Sequence, residues 1–330
     1  MTAQFADRTS AAGPTQEVTS AEAARMIDQL RGDRPDLFSP NARTDRLRGI
    51  DVYSAKDLPV VWANAWNVFH RAHGRFPDLL SLPATADHFL AMKFFQPVPV
   101  CPNPSDKLAV SEFLPRGMIA RIGLPRRVWV GETPRLPEPD DVPPGAYWLK
   151  CSIGNAMQRR VLWPPTDQQR RTLETLAQSW LASQYGLHWG EWWYGTSKPR
   201  IYLERDLSRL MRGRPEIKVF VRRGVPKTFF AVRRHRDTPT EQSFFDADLR
   251  LLPGRSPQNR PLEWTPPASV NVMLDAAARI GKRFELVRVD FLNAKGDYPV
   301  LGEISLCHMN ARRAFAPCNF DDWVSDQLFG

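Results

Sequence analysis

The sequence predicts an α+β fold whose strands pair mostly antiparallel in the C-terminal part of the chain. From Ala146 onward, short segments alternate apolar and polar residues with a period of two, which is typical of half-buried strands. Two of these segments flank the turn-forming residues 224–226 and so predict a β-hairpin. Longer stretches with apolar residues every three or four positions separate the strands and predict amphipathic helices. Strands joined by tight turns and interspersed with helices define the α+β class.

The first residues predict a disordered tail followed by a short helix. Residues 1–20 are rich in Ala, Thr, Ser and Gln and contain no apolar run, so we expect no packed element and no signal peptide there. Apolar residues at three-residue spacing predict a helix over residues 21–31, with Ser20 as its N-cap. A second apolar stretch, residues 58–69, leads into Pro-rich punctuation near residue 100. Residues 21–104 are therefore interpreted as an N-terminal lobe.

The remainder of the chain is predicted to form the larger part of the fold. A helix is expected over residues 105–122 with Asp106 near its start, and a strand over residues 126–130. The Pro-rich stretch that follows is expected to be a loop. We divide residues 105–330 into a central lobe, residues 105–215, and a C-terminal lobe, residues 216–330. Further strands are predicted at AYWLK (146–150), RIYLE (200–204), IKVFVRR (217–223), KTFFAVRR (227–234), ELVRVDF (285–291) and YPVLGEIS (298–305), and helices over 167–185 and 268–284.

The last two strands form a predicted hairpin that places two acidic residues together. With Gly296 and Asp297 as a two-residue turn, symmetric pairing sets Asp290 opposite Glu303. Like charges directly opposite one another destabilise a sheet, so this pair calls for a compensating cation, and Mg²⁺ prefers such oxygen ligands. Two alternatives stay open: the register differs and both acids are simply exposed, or Arg288 on the same face neutralises them.

Two lysines on predicted strands, Lys150 and Lys218, are candidates for binding phosphate. Each has apolar neighbours in its strand. Such a lysine is ordinarily a solvated residue at a sheet edge. Two lysines that converge on a carboxylate pair, however, would form a triphosphate site.

The composition narrows the kind of partner and the compartment. A formal charge of +9 and a pI near 9.6 indicate an anionic partner, which could be a nucleotide, an acidic sugar, a membrane surface or nucleic acid. No RNA- or DNA-binding motif is recognisable, so we expect no nucleic-acid partner. The four cysteines lie far apart without a C-x-x-C pair, which predicts reduced thiols in a cytoplasmic protein. No run of about 18 apolar residues occurs, so we expect no membrane-spanning helix.

A series of motifs extends from about residue 68 to the C-terminus: FHRAHGRFPDLLSLP, SDKLAVSEFL, AYWLKCSIGN, PRIYLERDL, EIKVFVRRGVPKTFFAVRRHR, FFDADLRLL, VRVDF and VLGEIS. In this order and spacing the motifs resemble the TupA-like ATP-grasp proteins of bacterial cell-surface polysaccharide biosynthesis. The resemblance implies an ATP-grasp fold that holds ATP in a cleft between lobes, with Mg²⁺ between the phosphates. It also implies an ATP-dependent carboxylate–amine ligase, which activates a carboxylate as an acyl phosphate and joins an amino acid to a sugar acid or a similar glycan.

The same resemblance implies roles for individual residues. The carboxylate pair and Arg288, which shares its face, would be the catalytic residues. Lys107, Lys150 and Lys218 would contact the nucleotide, Glu204 would lie at the hinge strand that holds adenine and ribose, and Asp290, Glu303 and Ser305 would hold the metal.

Three departures from the family pattern leave other functions open. The loop CSIGNAMQRR contains only Gly154 where the family has a Gly-rich loop, and Ser305 stands where many ATP-grasp enzymes have Asn. The segment CHMNARRAF lacks an expected glycine, and its Asn310 and the two arginines after it could bind a substrate carboxylate. These departures motivate two alternatives: a catalytically degenerate ATP-binding relative, or a glycosyltransferase of polysaccharide synthesis.

Overall fold

Two large β-sheets and the helices packed on them form residues 17–235 and 237–330, the part of the chain that the computed structural model describes. The helices are α1 (Ser20–Asp33), α2 (Gly49–Val52), α3 (Asp57–His73), α4 (Thr85–Phe95), α5 (Asp167–Leu181), α6 (Ser269–Gly281) and α7 (Cys318–Phe329). The strands are β1 (Arg46–Leu47), β2 (Val98–Pro99), β3 (Arg127–Gly131), β4 (Gly145–Cys151), β5 (Gln158–Trp163), β6 (Ile201–Arg205), β7 (Glu216–Arg222), β8 (Val225–Arg233), β9 (Glu241–Asp246), β10 (Leu251–Leu252), β11 (Arg260–Pro261), β12 (Leu286–Ala294) and β13 (Tyr298–Ser305). No helix among these residues is long and apolar enough to cross a membrane.

The larger sheet lies in the C-terminal part and has the strand order β10-β9-β8-β7-β12-β13. All neighbours in this order pair antiparallel, and β11 adds to β9 in parallel. Helices α6 and α7 both pack on the sheet, so its central strands are nearly continuously buried. The predicted α+β class with mostly antiparallel pairing is confirmed.

The smaller sheet has the strand order β3-β6-β4-β5, and every pair in it is antiparallel. Helix α5 packs on β4 and buries Leu173 and Ala177. The sequence analysis does not predict β5. The first three residues of that strand are polar and exposed, and they conceal the alternation of the last three.

Two hydrophobic cores follow from this arrangement. The larger core joins the N-terminal helices to the larger sheet, because Trp62 and Phe94 belong to it together with Val219 and Phe291. The smaller core lies around Leu149, on the smaller sheet. The N-terminal helices therefore stabilise the sheet that carries β12 and β13. The predicted lobe boundaries stay predictions.

The predicted helix over residues 105–122 is wrong. Only two short 3₁₀ turns form there, Val110–Phe113 and Arg116–Met118. Pro115 has no N–H to donate within a continuous helix. The Asp106 carboxylate also accepts the backbone N–H of Leu108 at 2.9 Å, which fixes a turn at the expected helix start.

The start of α1 also differs from the prediction. Thr19, and not Ser20, is the N-cap: its hydroxyl accepts the N–H of Glu22 at 3.2 Å, and the Glu22 carboxylate accepts the Thr19 N–H at 2.8 Å. This reciprocal arrangement is a capping box. The predicted disordered tail over residues 1–20 lies outside the described residues as far as residue 16, while Ser20 already belongs to α1.

Candidate active site

The predicted carboxylate pair is present where β12 and β13 meet. Asp290 lies opposite Glu303, as expected, although the turn is longer than predicted. Ala294 pairs with Tyr298, so the turn has three residues and not two. A β-bulge then leaves Gly302 unpaired between the two registers. The two one-residue differences cancel, and the two acids face each other.

Asp290 is buried and is already paired with two cations. Arg288 donates from Nε to Oδ1 at 2.7 Å and from Nη2 to Oδ2 at 2.8 Å. Lys218, directly opposite on β7, also donates to Oδ2. Burial alone would raise the pKa of Asp290, but the charges of Arg288 and Lys218 hold it well below its usual range. Neutralisation by Arg288, left open from the sequence, therefore describes Asp290, with Lys218 as a second partner.

His308 fixes the orientation of Arg288. Its Nδ1 lies 2.9 Å from Nη1 of the guanidinium, and since an arginine only donates, Nδ1 accepts and the proton lies on Nε2. Burial and then the charge of Arg288 hold the pKa of His308 well below its usual value, so the imidazole is neutral. The sequence analysis did not single out His308, because no periodic signal marks this residue in a loop.

Glu303 differs from Asp290 because its side chain is 45% exposed and has a single charged neighbour, Arg288 Nη2 at 3.4 Å. It faces a small cavity of about 30 Å³. The cavity is lined by Pro104, Ser105, Lys107, Val110, Tyr194, Glu303, Ile304 and Ser305. The predicted site residues Lys107, Glu303 and Ser305 thus lie together.

Lys107 reaches this cavity from the opposite side and is nearly buried. Its Nζ donates to the carbonyl of Gly154 at 2.5 Å. Burial lowers the pKa of Lys107, and the nearby charge of Glu303 opposes that shift. A lysine so placed offers its ammonium to an anion in the cavity.

Lys150 and Glu204 lie on the smaller sheet and pair with each other. Their Nζ and Oε1 atoms are 2.5 Å apart. Lys150 makes no ion pair with Asp290 or Glu303 among the described residues, so the expected convergence with Lys218 on the carboxylate pair is not found. The charge of Lys150 still acts on Lys107, whose pKa it lowers after burial. Lys150 and Glu204 therefore lie one residue away from the cavity.

Tyr194 is a cavity residue that the sequence analysis missed. It follows a tight turn in which the N–H of Glu191 donates to the carbonyl of Gly186 at 2.9 Å and the N–H of Tyr194 to the carbonyl of Glu191 at 3.2 Å. Gly186 has φ +77°, and a Cβ there would lie 2.8 Å from Cβ of Glu191 and 2.9 Å from the Tyr194 ring. Only glycine fits this turn without moving both side chains.

The oxygen atoms beside the cavity fit a magnesium ion in chemical type. Glu303 has a carboxylate with little engagement, and the Ser305 hydroxyl lines the same space. Within residues 17–235 and 237–330, no group of three or more His, Cys, Asp and Glu side chains is placed to hold a metal. Phosphate oxygens and water would supply the remaining ligands, which is usual for Mg²⁺. Asp290 would join the ion only if Lys218 moved away from it.

Residues 177–329 match the family described as TupA-like ATP-grasp proteins. The matched stretch includes the larger sheet with its carboxylate pair. With the two antiparallel sheets, this match shows that the chain has an ATP-grasp fold. The resemblance inferred for residues 68–176 stays a prediction. No curated protein sequence matches the chain significantly.

Several solved structures are similar to this chain at low identity. D-alanine–D-alanine ligase from Bacillus anthracis, complexed with ATP, is 15% identical with a TM-score of 0.38 over 63% of this chain and 56% of that chain. D-alanyl-alanine synthetase A from Vibrio cholerae is 12% identical with a TM-score of 0.39 over 63% and 56%. ATP-grasp ligase PsnB with a phosphomimetic precursor, Mg and ADP is 11% identical with a TM-score of 0.37 over 69% and 60%. The chain spans less than two thirds of the length of each.

Proposed function

We propose that the chain binds ATP with Mg²⁺ between the two large sheets and joins a carboxylate to an amine through an acyl phosphate. One observation carries the proposal: Glu303, Ser305 and Lys107 line a single cavity beside the buried Arg288–Asp290 pair. An anionic oxygen cluster that faces a lysine across a cavity suits a metal-bound polyphosphate. The family match over residues 177–329 supports the same proposal.

The roles of the residues follow from their positions. Lys107 binds a phosphate oxygen in the cavity, and Lys218 is close enough to Asp290 to transfer its hydrogen bond to a second phosphate oxygen. Glu303 and Ser305, with Asp290, would hold Mg²⁺, which when bound neutralises negative charge on the phosphates. Arg288 keeps Asp290 ionised and in place. In this proposal Lys150 and Glu204 border the nucleotide, with Glu204 towards adenine and ribose.

The substrates and setting are proposed from chemistry and resemblance. The formal charge of +9 favours anionic substrates, and a sugar acid together with an amino acid would satisfy both halves of an amide ligation. The family resemblance favours a role in cell-surface polysaccharide biosynthesis. All four cysteines are free, which agrees with a reducing cytoplasm.

A degenerate ATP-binding relative is the second candidate. Two observations favour it: the Lys107 ammonium is occupied by the carbonyl of Gly154, and Asp290 is occupied by two cations. Such a protein would bind ATP without turning it over. Binding alone therefore does not separate the two candidates, and a turnover measurement is needed.

The test supplies ATP and Mg²⁺ with pools of uronic acids and amino acids, and follows ADP and phosphate. We expect ADP release only when both an acid and an amine are present. Glu303→Gln should lower that rate at least about a hundredfold, the scale of losing one electrostatic stabiliser, with a smaller effect on ATP affinity. Glu263→Gln, at an exposed acid in a loop, is the matched control and should change neither.

Release of ADP with a sugar alone would indicate a kinase. ATP binding without ADP release across the pools would favour the degenerate relative. Either outcome contradicts the ligase proposal.

A further inference from the structure

A second cluster of buried charges lies beside the cavity, and it begins with Lys93 on α4. Lys93 is only 2% exposed, and its Nζ donates to Oδ1 of Asn310 at 2.5 Å. No carboxylate of the described residues lies within ion-pair distance of this ammonium. Burial lowers the pKa of Lys93, while the charge of Glu191 opposes that shift. A buried lysine without a paired anion is costly, so it calls for an explanation.

Glu191 is the complementary part of the cluster. It is 9% exposed, and its carboxylate makes no hydrogen bond with a described residue. Burial raises the pKa of Glu191, and the charges of Lys93 and Arg312 oppose that shift. The three charges therefore act on one another without forming a contact ion pair. Opposite charges buried this close ordinarily make contact, and the separation leaves both uncompensated.

Asn310 adds an unused hydrogen-bond donor to the cluster. Its Nδ2 is buried without a partner, while its Oδ1 is held by Lys93. The residues on either side, Met309 and Ala311, have φ of +49° and +58°, in the left-handed region that non-glycine residues rarely adopt. Such strain costs roughly 1–3 kcal/mol per residue and is typical of ligand-binding loops. Met309 and Arg312 are exposed, so the loop is reached from solvent.

Tyr194 connects this cluster to the proposed ATP site. Its ring lines the cavity of Glu303. Burial raises the pKa of its phenol, and the charges of Glu191 and of Glu303 raise it further, so both carboxylates lie near the same hydroxyl. The cluster is thus separated from the site of acyl phosphate formation by one side chain.

We propose that Glu191, Asn310 and Arg312 form the subsite for a zwitterionic amine substrate, an α-amino acid or a similar small molecule. Glu191 accepts hydrogen bonds from the ammonium group, and Asn310 Nδ2 and the Arg312 guanidinium donate to the carboxylate. Lys93 is a positioning residue that holds the amide of Asn310 by its oxygen, so that the nitrogen faces the ligand. This subsite rests on the proposed ligase, since it places the amine beside the activated acid.

The charges select this class of ligand. A simple anion would be repelled by Glu191, and a simple amine would be repelled by Lys93 and Arg312. Only a ligand that carries both charges compensates both sides of the cluster.

The experiment measures thermal shift and calorimetric binding for each standard α-amino acid and its D enantiomer, with ADP and Mg²⁺ present. For each amino acid that binds, the N-acetyl derivative and the decarboxylated amine are tested in parallel. We expect at least one amino acid to bind and both derivatives to bind at least tenfold more weakly. Glu191→Gln and Arg312→Gln should each lose at least tenfold in affinity, while Glu263→Gln should not.

Two readouts keep this proposal separate from the proposed function. Glu191→Gln should keep the wild-type thermal shift with ATP and Mg²⁺, because it removes no phosphate contact. Its far-UV circular dichroism should also be unchanged, and Arg312→Gln serves at an exposed position if Glu191→Gln does not fold. If no amino acid binds although ATP does, or if both variants bind like wild type, the subsite is wrong and the ATP site stands. If amino acids bind but ATP does not, the subsite stands and the ligase is wrong.

Discussion

Asp290 and Glu303 face each other across one strand pair, yet their removal should affect stability very differently. Asp290→Asn leaves Arg288 and Lys218 buried, with side-chain exposures of 9% and 8%. Removing one partner of a buried ion pair costs about 3–5 kcal/mol. Arg288 retains Glu303 at 3.4 Å and Lys218 retains Glu216 at 3.4 Å, so we expect the lower end, about 3 kcal/mol.

Glu303→Gln, by contrast, removes a 45% exposed carboxylate with one contact at 3.4 Å. Its cost should stay within about 1 kcal/mol. Urea unfolding followed by tryptophan fluorescence measures both values. Asp275→Asn, which breaks an exposed pair with Arg279, is the control and should stay within about 0.5 kcal/mol. Equal losses for Asp290→Asn and Glu303→Gln would refute the assignment of Asp290 as the buried, doubly paired acid.

Three further predictions concern the cavity and the two sheets. Lys107→Met should weaken ATP at least tenfold in calorimetry and AMP hardly at all, since only ATP has the outer phosphates; Lys295→Met, at an exposed turn, is the control, and equal losses for both nucleotides would contradict this role. Gly186→Ala should cost more unfolding free energy than Gly213→Ala. Both have positive φ and so a strain of about 1–2 kcal/mol, but only at Gly186 would the new Cβ meet Glu191 and Tyr194; equal costs would contradict the contact. Burial would raise the pKa of Asp206, but hydrogen bonds, including those from Ser208 and Arg160, lower it to about 2. The stability it contributes is therefore present above about pH 4 and lost as the pH falls towards 2, and Asp206→Asn should show a smaller decline of the urea midpoint between pH 6 and pH 3; parallel declines would contradict the shift.

The hairpin shows how far the sequence determines the site. Alternation along β12 and β13 predicts that Asp290 and Glu303 share a face, and the structure agrees. The three-residue turn and the bulge at Gly302 are not visible in that alternation. The pairing is correct because the two deviations cancel, and because the buried apolar face tolerates no other register.

The charged residues around the cavity were harder to predict, because they come from distant parts of the chain. Lys93 lies on a helix whose pattern marks a lysine as a surface residue, yet it is buried. Glu191 and His308 lie in short turns without periodicity. Their partners are set by tertiary packing, so no local signal identifies them. Lys107 was found only through a motif, and its contact with Gly154 could not be foreseen.

Binding of ATP with Mg²⁺ tests the central claim most directly, and differential scanning fluorimetry measures it. The melting temperature should rise with ATP and Mg²⁺ and much less with AMP, because the proposed contacts are to phosphates and metal. A ligand that binds only the native state stabilises it by about 2.7 kcal/mol at 100 times its dissociation constant. A shift with UDP-sugars and none with ATP would contradict the account and favour a glycosyltransferase.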